Sequence, residues 1–108
     1  MEIEIDFRII KNWNDFHALF AETMGFPDFY GNNNNAWIDC MSSIDDGDAG
    51  MSKVTVTPGE SLTIVVRGAE ETTASTSEVF LGFLTIVADV NQRFIESNSN
   101  TRLKVVAT

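Results

Sequence analysis

Apolar and polar residues alternate at the start of the chain. Ile3, Ile5 and Phe7 fall on one side, and Glu2, Glu4, Asp6 and Arg8 on the other. A period of two predicts a half-buried strand from Glu2 to Ile10, closing on the apolar pair Ile9 and Ile10. The period then changes. Trp13, Phe16, Phe20 and Met24 recur at helical spacing, with Leu19 widening the stripe. They predict a helix over 13–23 capped by Asn12 or Asn14. A second helical stripe, Trp37, Cys40, Met41 and Ile44, comes after four asparagines and reads as core. Asn35, Asp39 and Ser42 line its opposite side. Ile38 lies beside them and is expected at the surface.

Between these helices, Pro27 fixes its own φ and extends Phe26. Gly31 is free to take a positive φ and turn the chain. Phe29 and Tyr30 stand between them as large, stiff contact groups. Beyond the second helix, Asp45 to Gly50 reads as an acidic, flexible turn. Lys53 to Thr57 reads as a short extended segment, and Pro58-Gly59 as a turn. The run from Ser61 to Arg67 holds Leu62, Ile64, Val65 and Val66, and predicts a central strand covered on both faces. Polar residues over 68–77 predict a loop or a short, poorly formed helix, with Thr76 or Ser77 capping the next helix. That long amphipathic helix is expected from Glu78 to about Glu96, with Val79, Phe80, Phe83, Val87, Val90 and Phe94 on one face. Leu81 and Ile86 lie off that stripe, which suggests cover on more than one side. Gly82 weakens the helix unless another element packs closely there. Asn98 to Asn100 predict a turn, and Arg102 to Ala107 a final β-branched strand.

Strands separated by helices lie parallel with right-handed crossovers. The order strand, helix, helix, strand, helix, strand thus predicts an α/β fold: a small three-stranded parallel sheet packed by about three to four helices. Helices on one face (two layers) and on both (three layers) stay open. The 108 residues fit one domain.

Composition changes the picture in two ways. Sixteen acids against seven bases give a formal net charge of −9, which argues against direct nucleic-acid binding, since phosphate must be met by Lys and Arg. It suits a basic protein partner, although acidity also serves solubility alone. The one cysteine, Cys40, sits on an apolar stripe, so it is expected to be a buried structural thiol. The acidic, alternating N-terminus does not resemble a signal peptide, and no apolar run is long enough to span a bilayer. A cytoplasmic location is the expectation.

Signals for catalysis are missing. His17 is the sole histidine, read as a surface residue on the polar flank of the first helix. Neither a Walker pattern nor Gly-x-Gly-x-x-Gly occurs. Asp46 and Asp48 lack the distal Glu of a calcium loop. No catalytic residue, metal or cofactor is therefore expected.

The run Phe-Pro-Asp-Phe-Tyr-Gly-Asn-Asn from Phe26 to Asn33, followed by Ala36, Asp39 and Cys40, resembles the signature of the barstar family. The resemblance implies a barstar-like domain over 1–108, acting inside the cell as an inhibitor of a basic, secreted ribonuclease or related toxin. In such proteins the loop and second helix plug the nuclease active site, and an acidic helix residue takes the place of an RNA phosphate. Asp39 matches that acid, and Phe29, Tyr30, Gly31 and Asn33 the rest of the plug, with Asn35, Ile38 and Ser42 completing the face. The chain departs from the family pattern at Asn35, where an Asp is usual. It departs again at Ile38, where an aromatic is usual, and at Phe29, where a Tyr is common. An interaction domain that kept the fold but lost nuclease inhibition is the alternative reading.

Overall fold

The structure is a computed structural model. It describes residues 1–71 and 74–108, with the backbone alone for 74–76. Strands β1 (Glu2–Asp6), β2 (Ser61–Arg67) and β3 (Arg102–Ala107) form one parallel sheet in the order β1-β2-β3. Helices α1 (Trp13–Met24) and α2 (Asn34–Met41) connect β1 to β2. Helix α3 (Ala74–Glu96) connects β2 to β3. Register brings Ile3 beside Ile64, and Ile64 beside Val105.

Burial decides the number of layers. In β2 the residues Leu62, Ile64 and Val66 are buried while Thr63 and Val65 are only partly so. Ile3 and Ile5 of β1 and Leu103 of β3 share the covered face. The other face carries Glu2, Glu4, Lys104 and Val106, all exposed. The molecule therefore has two layers, which corrects the expectation that β2 is covered on both faces. Two crossovers that advance the same way with the same hand place their helices on one side of a sheet. The β-branched run of β2 reflects strand propensity on the open face rather than burial.

Several boundaries move for identifiable reasons. The first strand stops at Asp6, whose side chain accepts a hydrogen bond from the Arg8 backbone N–H and opens a short 3-10 turn over Phe7–Ile9. Ile9 is consequently exposed and Ile10 buried. Helix α1 is capped by Asn12, which accepts from Asp15 N–H at 2.9 Å. It ends at Gly25, whose φ of 68° permits the left-handed stop. Helix α3 begins at Ala74 rather than Glu78, after a 3-10 turn over Ala69–Glu71. Ser77, expected as a cap, thus lies inside the helix. Residues 72–73 of the expected 68–77 loop, and the side chain of Thr76 as its other cap, lie outside the described residues.

Lys53 to Thr57 does not form a strand, yet the segment is held in place. Lys53 and Val54 N–H both donate to Met24 O, and Val56 N–H donates to Ile44 O. The first two occupy a carbonyl left free at the end of α1, and the third a carbonyl in the turn after α2. In the core, Phe16, Phe20, Trp37 and Phe83 pack as one aromatic group, with ring centroids 4.7 to 6.1 Å apart. Ile86, expected off the apolar stripe of α3, is part of the core, while Leu81 is exposed. Gly82 has its packing reason: a Cβ there would lie 2.5 Å from the indole of Trp13.

Candidate functional site

The loop from Gly25 to Asn33 and the first two turns of α2 form one wall of a shallow depression. Phe29, Gly31, Asn33, Asn35, Ala36 and Asp39 line it, with Met51 reaching in from the following loop. The asparagines are not equivalent. Asn32 takes the left-handed conformation with φ 52°, a role expected of Gly31, which does not adopt it. Asn33 is the N-cap of α2, accepting from Ala36 N–H at 2.8 Å, and its Nδ2 reaches back to Gly31 O at 3.3 Å. A Cβ at Gly31 would approach that amide to 3.1 Å, so the loop folds tightly onto the cap. Asn35 is exposed one helical turn before Asp39.

Phe29 projects outward and is 75% exposed. Tyr30, its neighbour, lines the depression with little of its surface exposed. It is buried, its ring lies tilted against that of Phe26 with centroids 4.7 Å apart, and its hydroxyl lies 2.6 Å from Nδ1 of His17. His17 is likewise buried, not on the polar flank of α1. Burial pushes its pKa down, and the Asn34 side chain partly opposes this by favouring the protonated ring. Burial also pushes the Tyr30 phenol well above its ordinary value. With the neutral ring's N–H on Nε2, Nδ1 accepts a hydrogen bond from the Tyr30 hydroxyl; the other tautomer reverses the two roles. His17 thereby joins α1 to both the loop and the first residue of α2.

Ile38, expected beside Asp39 at the surface, is buried. Helix α2 packs against α3 as well as over the sheet, so it buries a wider arc than the four-residue stripe. Ser42 is half-buried, and its hydroxyl donates to the Ile38 carbonyl. Cys40 is buried beneath the depression, and burial raises its pKa, as fits a structural thiol.

Asp39 points outward, with its side chain 56% exposed. It is also paired within the chain: Nη1 of Arg93, from α3, donates to its Oδ1 at 2.7 Å. Both partners are open to solvent, so the pair contributes little to stability. Its effect is to orient the carboxylate and to place a cation beside it. Of the residues expected on this face, the structure brings Phe29, Gly31, Asn33, Asn35 and Asp39 together around the depression. Tyr30, though buried, also lines it, while Ile38 and in part Ser42 are withdrawn behind it. Met51 and Arg93 join the surroundings without any local sequence signal.

Among the described residues no helix is long and apolar enough to cross a membrane. No group of three or more His, Cys, Asp or Glu side chains among them is placed to hold a metal ion. No curated protein matches the chain. Over residues 1–107 it matches the family model described as barstar (barnase inhibitor), and the chain belongs to that family, one of inhibitors rather than enzymes.

Proposed function

We propose that residues 1–108 act as one domain inside the producing cell, occluding the active site of a basic ribonuclease or related toxin with the Phe29–Asp39 face. Asp39 stands in for an RNA phosphate and receives charge-assisted hydrogen bonds from Arg and Lys of the enzyme. Phe29 supplies the exposed apolar contact. Gly31, Asn33 and Asn35 supply polar groups along the wall. Ile38 and Ser42 act from behind, and Tyr30 from the lining itself, holding the loop and helix in place so that little ordering is left for binding. The reading is carried by one observation in a chain of the barnase-inhibitor family. An acidic residue stands exposed on a capped helix, at the rim of a depression, with an exposed aromatic across from it.

The test is inhibition of RNA cleavage by a panel of basic microbial ribonucleases, with wild type and Asp39→Ala. The expected result is inhibition of at least one enzyme by wild type and a loss of about 2–5 kcal/mol of binding in the variant, as for truncation of a buried interfacial charge pair. Melting temperature stays nearly unchanged, because the Arg93 pair is exposed. Equal inhibition by both proteins would refute the role of Asp39, and no inhibition of any enzyme would refute the nuclease target.

The Arg93 contact favours a second reading, that of an interaction domain without nuclease inhibition. A carboxylate already paired with a guanidinium presents a dipole rather than a bare anion. A partner matched to a dipole needs a cation and an anion side by side. Binding that requires an acidic group on the partner opposite Arg93 would support it.

A further inference from the structure

Helix α3 carries an apolar row that nothing among the described residues covers. Leu81 is 63% exposed, Leu84 39% and Ile95 50%, and Ala88 between them is also exposed. Positions 81, 84, 88 and 95 follow the three- and four-residue steps of one helix face. From 81 to 95 the row runs about 21 Å at 1.5 Å per residue. Thr85 beside the row, and Gln92 within it between Ala88 and Ile95, are uncharged. One flank of the row is acidic: Glu78, Asp89 and Glu96 are all exposed along it. Arg93, which reaches Asp39, projects from beyond that acidic flank, so the row is separate from the depression at the loop and α2.

Exposed apolar residues are ordinary when scattered and informative when contiguous and bordered by charge of one sign. The row has the form of one side of a helix-in-groove contact, in which a second helix lays its apolar anchors along it. The acidic flank selects among occupants. A two-fold axis relating antiparallel copies of α3 brings the same flank of each together, so Glu78 of one copy would face Glu96 of the other, and Asp89 its own copy. A net charge of −9 on each molecule adds to the repulsion. A segment with apolar anchors and Lys or Arg beside them meets both features.

The geometry points to a second docking surface on the outer face of α3, made by Leu81, Leu84, Ala88 and Ile95 with the Glu78–Asp89–Glu96 flank, for a basic amphipathic helix of a partner protein. It does not depend on what binds at Asp39.

The probe is a synthetic amphipathic helix of Leu and Lys, with an equally charged Ser and Lys peptide as control. Amide shifts are followed by NMR on the full chain. The expected result is saturable binding of the Leu–Lys peptide, with shifts centred on 81–95 and with the control binding at least about tenfold more weakly. Leu81→Ser with Ile95→Ser weakens binding by about tenfold or more, and both sites are exposed, so the fold is retained. A doubly substituted acidic flank, Asp89→Asn with Glu96→Gln, lowers the salt dependence. Equal binding of the two peptides, or shifts centred elsewhere, would overturn the proposal. So would concentration-dependent self-association in analytical ultracentrifugation that Leu81→Ser abolishes, since a second copy would then be the occupant.

Discussion

His17 and Arg93 are the residues whose surroundings were least legible in the sequence, for different reasons. His17 stands four residues after Trp13 and three before Phe20, inside the apolar stripe that predicted α1. The periodicity therefore held the information, and residue type outweighed it. Its burial has a consequence for acid stability. The folded pKa lies below the ordinary 6.5, so the unfolded chain binds the proton more readily. Stability from this group is complete above about pH 6.5 and is lost as pH falls through the depressed folded value. Urea midpoints measured from neutral to mildly acidic pH will fall on acidification, and less steeply in His17→Gln. Arg93 could not be read from the sequence, since it meets Asp39 across 54 positions. In a cationic partner's cleft it is a competitor for the same carboxylate. Arg93→Gln will tighten binding of a basic nuclease a few-fold by titration calorimetry. If the partner answers the dipole instead, the same substitution will weaken binding.

The elements were legible where pattern and local chemistry agreed. Strand β2 was read at both ends, as was β3, because β-branched runs were bounded by turn residues. The number of layers was not legible, since an Ile/Val run looks alike on a covered and an open face. Helix α2 was read through its apolar stripe, but the buried arc that takes in Ile38 depends on α3 lying alongside. Gly82 shows propensity giving way to packing. Replacing glycine by alanine in a helix interior favours the helix by up to about 1 kcal/mol. Here the added methyl would meet the Trp13 ring at 2.5 Å, and overpacking costs about 1–3 kcal/mol. Gly82→Ala will therefore lower the chemical-denaturation free energy despite its propensity. A rise would mean that Trp13 moves aside freely.

At the scale of the molecule, the sheet is the fixed part and the site lies apart from it. The three strands join residues far apart in sequence, and α1, α2 and the pinned 45–60 segment stack over one side. The loop and α2 are thus displayed by the layer over the sheet, with Met51 of the 45–60 segment completing the depression. The resemblance pointed to the stretch from Phe26 to Cys40 as the expected face, and tertiary packing decided which of its side chains look outward. The net charge of −9 acts on encounter rather than on the fold. Association with a cationic nuclease will slow as salt rises from low to physiological strength in stopped-flow measurements, because the steering field is screened. A rate independent of salt would exclude electrostatic steering.

The ion pair between α2 and α3 bears on how long such a complex lasts. Arrival of an incoming guanidinium trades one cation at Oδ1 for another, so the carboxylate is never stripped bare on the way in. Departure is the same trade in reverse, with Arg93 waiting a side-chain rotation away to recapture its oxygen. The residue that aims the anion beforehand therefore also offers the bound state an exit, and residence time, rather than capture, is where a change at position 93 will be felt.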